Sequence, residues 1–195
     1  MRRRAGIGSA ILAIALMGSA PPAQLRYRID PKASGVNAQV AFFGLARKTA
    51  SFPAIMGRLS FPDTPGTITA SPIALDVTLD ARMLQADDAL TLKRLRGQRF
   101  FDVEHYPTVT FSGETLRMTA ERTADVTGKL TVRGITRPET LHVTFSKAPA
   151  AIEGTQPIRL TGTMQIDRRA YGMTAWSIVV GRKVNITIKT RMVPT

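Results

Sequence analysis

From Tyr27 to the C-terminal end, apolar residues recur at every second position. Val36, Ala38, Val40 and Phe42 alternate with Asn37, Gln39 and Ala41. Ile73, Leu75, Val77 and Leu79 alternate with Ala74, Asp76, Thr78 and Asp80. The same rhythm carries Val126, Gly128, Leu130 and Val132, then Leu141, Val143 and Phe145, then Ile158, Leu160, Gly162, Met164 and Ile166, and finally Val184, Ile186 and Ile188. Weaker alternation runs through residues 55–61, 108–111 and 116–120. A period of two puts alternate side chains on opposite faces of a strand and does not suit a helix. The chain therefore reads as about eight short strands, each with one apolar face.

Turn residues punctuate these strands at Pro62-Asp63-Thr64-Pro65-Gly66, Ser112-Gly113, Arg133-Gly134 and Gly181-Arg182-Lys183. One-sided alternation with short connections predicts an antiparallel sheet. So many strands must hide their edges, and closure into a barrel does so, with a sandwich as the competitor. With no repeat and no linker in view, the chain reads as one all-β domain over residues 24–195.

One segment departs from the rhythm. Asp87 or Asp88 can cap a helix that carries Leu90, Leu92 and Leu95, with Lys93, Arg94 and Arg96 in its last turn and Gly97 as its stop. This short helix is expected to plug or gate one end of the barrel. About eight strands leave an interior that is either filled by side chains or holds one small ligand. Small inward residues, Ala38, Gly57, Gly128 and Gly162, point to an elongated apolar cavity. The 8 Phe and 8 Met residues could instead fill it, and periodicity leaves both readings open.

The N-terminal stretch has another logic. Arg2, Arg3 and Arg4 precede an apolar run from Ile7 to about Met17, and Gly18-Ser19-Ala20 follows. This is the layout of a secretory signal peptide, with an uncleaved anchor as the alternative. Residues 1–23 are expected to be the leader, its cleavage point left open between Ala20 and Ala23. A periplasmic or secreted protein is expected. The absence of cysteine excludes disulfides, thiolate metal sites and a catalytic thiol. Two histidines, His105 and His142, offer little for acid–base or metal chemistry, and no nucleophile elbow or phosphate loop is present. With 27 basic against 14 acidic residues the formal net charge is +13. That favours weak attraction to an anionic membrane surface. Nucleic acid is not expected, because no aromatic array interleaves with the basic residues.

Three ordered motifs are more specific. The first runs Arg99-Phe100-Phe101-Asp102 and then Tyr106-Pro107-Thr108-Val109-Thr110-Phe111. The second runs from Gly128 through Leu130, Arg133-Gly134 and Arg137-Pro138. The third is Ile166-Asp167-Arg168-Arg169-Ala170-Tyr171-Gly172-Met173. In this order and spacing the chain resembles the YceI-like family of exported isoprenoid-binding proteins, over residues of about 27–193. The resemblance implies an extended lipocalin-like antiparallel barrel of about eight strands with one short helix. It also implies a long apolar pore for a polyisoprenoid such as a ubiquinone tail, and that two such barrels can pair as a homodimer. Family members often show His-Ser before the first long strand and a second His near its end. Here Ala33-Ser34 and Phe42-Phe43 stand there; if those histidines touch a ligand headgroup in relatives, the resemblance implies that this chain handles its headgroup differently.

The candidate ligand-contacting residues on strands are Val40, Phe42, Phe111, Leu130, Phe145 and Ile166. Leu95 joins them from the helix, and Phe100, Phe101, Tyr171, Met173 and Trp176 from the barrel ends. Each has a bland alternative in ordinary core packing, and Asp102 reads first as a turn cap. The basic cluster Lys93, Arg94, Arg96 and Arg99 could attract an anionic headgroup or be a solvated helix face favoured by the helix dipole. The expected function is non-catalytic binding, transport or storage of a polyisoprenoid, with no cofactor beyond a lipid ligand such as a polyprenyl quinone. The alternatives are presentation of a bound quinone for redox or stress protection, and a packed structural barrel acting through its basic surface.

Overall fold

The computed structural model describes residues 24–62, 70–149 and 154–195. The leader segment expected over residues 1–23 lies outside them, as does most of the turn expected at Pro62 to Gly66. The strands are β1 (Gln24–Ile29), β2 (Gly35–Phe42), β3 (Ala46–Phe52), β4 (Ile55–Pro62), β5 (Ala70–Asp80), β6 (Gln85–Ala86), β7 (Thr108–Ala120), β8 (Thr123–Val132), β9 (Ile135–Phe145), β10 (Ile158–Asp167) and β11 (Val180–Pro194). Helix α1 (Ala89–Arg96) lies between β6 and β7.

All pairings are antiparallel, in the order β1-β4-β5-β7-β8-β9-β10-β11. Strand β11 closes the ring. Its last residues pair with β1, at Met192↔Ile29 and Pro194↔Tyr27, so eight strands form a closed barrel. The first part of β11 pairs with β2 instead, from Val180↔Phe42 to Lys189↔Gly35. Strands β3 and β6 follow β2 outward. The long β11 thus serves two partners in succession, and β2 with β3 adds a wall to one half of the barrel, here called the upper half.

Asp residues end several strands in one way. Asp30, Asp80 and Asp167 each accept a hydrogen bond from the backbone N–H two residues on, turning the chain into a short 3-10 turn. Each then takes a guanidinium: Arg191 on Asp30, Arg82 on Asp80 and Arg182 on Asp167. These arginine hydrogen bonds hold all three carboxyls below their ordinary pKa. Arg133-Gly134 is a two-residue hairpin with φ of +52° and +71°, as its sequence predicts.

Two expected turns are corrected. Ser112-Gly113 lies inside continuous β7, where a register shift between Gly113 and Thr115 marks a bulge. Gly181-Arg182-Lys183 lies inside β11, in the shift between Val180 and Val184. An extra residue in a strand carries the same polar and glycine signature as a short turn.

The small inward residues also act differently from expectation. A Cβ on Gly128 would stand 2.3 Å from the Ser112 carbonyl oxygen, 2.8 Å from Gly113 Cα and 2.9 Å from Phe111 Cζ. A Cβ on Gly57 would meet the Asp76 carbonyl and Ile29, and one on Gly162 would meet Leu141. These glycines do not hollow the barrel: larger neighbours already occupy the space they release. Gly128→Ala is expected to cost about 3 kcal/mol, because two of the three clashing atoms belong to backbone that cannot rotate away. Urea unfolding checks this, and an unchanged midpoint would contradict the close approach.

Candidate functional site

Helix α1 closes the upper half. Asp88 is its N-cap, accepting from the Thr91 N–H at 2.8 Å and the Thr91 hydroxyl at 2.7 Å, and pairing with Lys48 Nζ at 2.9 Å. These bonds hold its carboxyl well below the carboxylate range. Asp87 accepts from the Thr49 N–H instead and ties the same turn to β3. Gly97 ends the helix. Leu95 faces inward, whereas Leu90 is exposed.

Beneath α1 lies a cavity of about 140 Å³. It collects eight of the residues expected to contact a ligand: Val40, Leu95, Phe100, Phe101, Phe111, Leu130, Ile166 and Met173. Each strand contributes through its inward alternation. Phe101 is fixed edge-on against Phe52, with ring centroids 5.5 Å apart. The β3 wall, Ala50 and Phe52 included, was not legible as a strand, since Arg47-Lys48-Thr49 masks its alternation. Walls that are mostly apolar accept a small apolar guest.

Four expected residues stand elsewhere. Phe145 lies at the far end of β9 and lines a second apolar cavity of about 60 Å³, with Phe61 and Ile158. Its position follows from length: from Ile135 to Phe145, β9 runs the height of the barrel. Phe42 ends β2 beyond the cavity wall, edge-on to Phe43 with centroids 4.7 Å apart and with Lys48 Nζ over its ring. Tyr171 is fully buried behind the wall, where its hydroxyl donates to Glu139 at 2.8 Å, and burial pushes its pKa up. Trp176 is on the surface, its ring under the Arg94 guanidinium at 4.6 Å.

The polar members of the cavity wall are Lys48, Thr49, Thr91, Thr110 and Arg168. Arg168 is 2% exposed and forms no ion pair among the described residues. Its guanidinium donates instead to three backbone carbonyls: Gly181 at 2.8 Å, Val180 at 2.9 Å and Met173. Burial lowers its pKa from the ordinary value, but an arginine stays charged throughout the working pH range. Other arginines work similarly. Arg133 donates to Gly172 and Gln98 carbonyls, Arg137 to Ala170, and Arg96 to Leu84. Part of the basic surplus is therefore spent pinning loops around the upper end. Of the basic cluster on α1, Arg96 is structural in this sense and Arg94 stacks on Trp176.

Asp102 turns away from the cavity at φ +50° and lies 2.9 Å from His105 Nδ1. That hydrogen bond raises the His105 pKa. His142 Nδ1 is 2.6 Å from Asp125. Among the described residues no three His, Asp or Glu side chains form a metal-binding group.

A family model described as the YceI-like domain matches residues 27–192. The chain belongs to the YceI-like family. A UPF0312 protein of Pseudomonas putida strain GB-1 is 31% identical over 140 residues, covering 69% of each chain. A UPF0312 protein of Ectopseudomonas mendocina is 30% identical over 166 residues, covering 79% of this chain and 83% of its own. Among solved structures, BcnA of Burkholderia cenocepacia superposes with a TM-score of 0.71 at 21% identity, covering 84% of this chain and 98% of BcnA. A polyisoprenoid-binding domain from Saccharophagus degradans gives a TM-score of 0.64 at 13% identity, covering 87% and 98%. At these identities the two structures share the YceI-like fold with this chain.

Proposed function

We propose that this YceI-like chain is a non-catalytic protein that binds, and carries or stores, a polyisoprenoid or similar long-chain lipid in its upper cavity. The observation that supports this most is the cavity itself: apolar walls from seven strands, covered by Leu95, Phe100 and Phe101, with few polar groups. The polyisoprenoid-binding domain of S. degradans lends the ligand class, since it shares the fold. Burial of each CH₂ contributes about 0.8 kcal/mol. A cavity of this size takes a guest of roughly one isoprene unit as it stands. A longer chain extends through the mouth or displaces Phe100 and Phe101. The polar end meets Lys48, Thr49 and Thr91. A leader over residues 1–23 would place the protein in the periplasm or outside the cell.

Titration with geranylgeraniol, followed by gel filtration and quantitation of bound lipid, tests this. Saturable uptake near one molecule per chain is expected. A folded protein that takes up none would overturn the proposal.

A further inference from the structure

The rim of the upper cavity exposes large apolar side chains to solvent. Leu45 and Ile178 are each 98% exposed, Phe43 65% and Trp176 42%. Phe43 and Leu45 occupy the turn between β2 and β3. Trp176 and Ile178 occupy the loop that leads into β11. The two tips are neighbours: the Phe43 N–H donates to the Val179 carbonyl at 2.8 Å, and Phe42 pairs with Val180. Both tips hold an aromatic residue in the left-handed region, with φ +51° at Phe43 and +58° at Trp176. That backbone is costly for a bulky L-residue, and here it serves rings that bury little.

The same rim is basic. Arg47 lies two residues after Leu45, Arg94 stacks on Trp176, and Lys183 stands near the start of β11. The acids nearby are already engaged: Asp88 with Lys48, Asp167 with Arg182, and Asp87 with the Thr49 N–H. A contiguous apolar patch bounded by cations has the chemistry of a peripheral membrane contact.

We propose that this rim docks on an anionic lipid bilayer. Phe43, Leu45, Trp176 and Ile178 seat among the headgroups and upper acyl chains, and the surrounding cations meet lipid phosphates. The cavity wall begins beside these tips: Val40 lies two residues before Phe42, and Val180 two residues after Ile178, and both line the cavity. A lipid ligand therefore passes between bilayer and barrel without crossing water. The competing occupant is a second copy of the chain. It would bring two basic collars face to face in a chain of net charge +13, whereas acidic headgroups complement that charge.

Sedimentation of the full chain with vesicles tests this. Binding to phosphatidylglycerol–phosphatidylcholine vesicles is expected at least tenfold tighter than to phosphatidylcholine alone, and weaker as salt rises. The double variant Leu45→Ser with Ile178→Ser is expected to weaken it at least tenfold. Both side chains are solvated, so the variant keeps its fold, as circular dichroism will show. Failure of the unsubstituted protein to bind anionic vesicles overturns the proposal, as does undiminished binding by the double variant. A dimer that the double variant dissociates, with no vesicle binding, gives the patch to a second copy and also overturns it. Docking stands apart from the ligand: vesicle binding by a chain that takes up no geranylgeraniol keeps this proposal and overturns the carrier proposal.

Discussion

Leu130→Glu is expected to reduce isoprenoid uptake at least a hundredfold. Leu130 is buried on β8, opposite Phe111 of β7, and both side chains line the upper cavity. The wall around Leu130 is mostly apolar, and the two cations that line the cavity are already engaged, Lys48 by Asp88 and Arg168 by three backbone carbonyls. A carboxyl there is expected to take up a proton rather than bear an unpaired charge, and even neutral it carries a polar group into the path of the hydrocarbon chain. Such a change can also weaken folding, so a second variant separates the two effects. Ala38 lines the same cavity from β2 and is only half buried. Ala38→Leu fills space without adding a polar atom and is expected to weaken uptake at least tenfold with the unfolding temperature retained. Unchanged uptake by a folded Leu130→Glu protein would contradict the register that turns this face inward.

Arg168→Met is expected to destabilise the protein by about 3 kcal/mol. Methionine matches much of the arginine's length but donates no hydrogen bond. Three carbonyls, those of Met173, Val180 and Gly181, then lose their donor at a buried position. An unpaired buried carbonyl costs about 1–3 kcal/mol, and removal of the desolvated charge offsets part of that sum. Two of those carbonyls open β11 within its register shift, where pairing with β2 is interrupted. The guanidinium is thus the local substitute for a sheet ladder. Arg168→Lys is expected to recover less than half of the loss, because an ammonium cannot span three acceptors as a planar fork does. Full recovery by lysine would contradict that geometry.

These two residues mark where the sequence was legible and where it was not. Leu130 and Ile166 sit on strands with clean alternation, so their inward direction could be read before any coordinates. The helix stop at Gly97 was legible for a similar reason, and the cap was legible as Asp87 or Asp88, of which Asp88 takes the role while Asp87 binds the Thr49 N–H. Arg168 belongs to the third motif, but its neighbours, three carbonyls from two segments, meet only in the folded chain. Strand β3 was hidden because Arg47, Lys48 and Thr49 follow one another at the mouth, where a strand need not bury alternate residues. The glycines misled through their partners. A missing side chain reads as empty space in one strand, yet Phe111, Ile29 and Leu141 fill it from others. Phe145 and Phe111 share an inward direction but stand at opposite ends of the barrel, a difference that strand length sets and alternation does not reveal.

Mass spectrometry of organic extracts bears most directly on the lipid-binding account. The protein should be purified from its native host without detergent, shown to be folded, and extracted. A polyprenyl species at a stoichiometry near one per chain, lost in Ala38→Leu, is the expected result. A clean extract from folded protein, together with no saturable uptake of geranylgeraniol, would contradict the account and leave the upper cavity as a packing void.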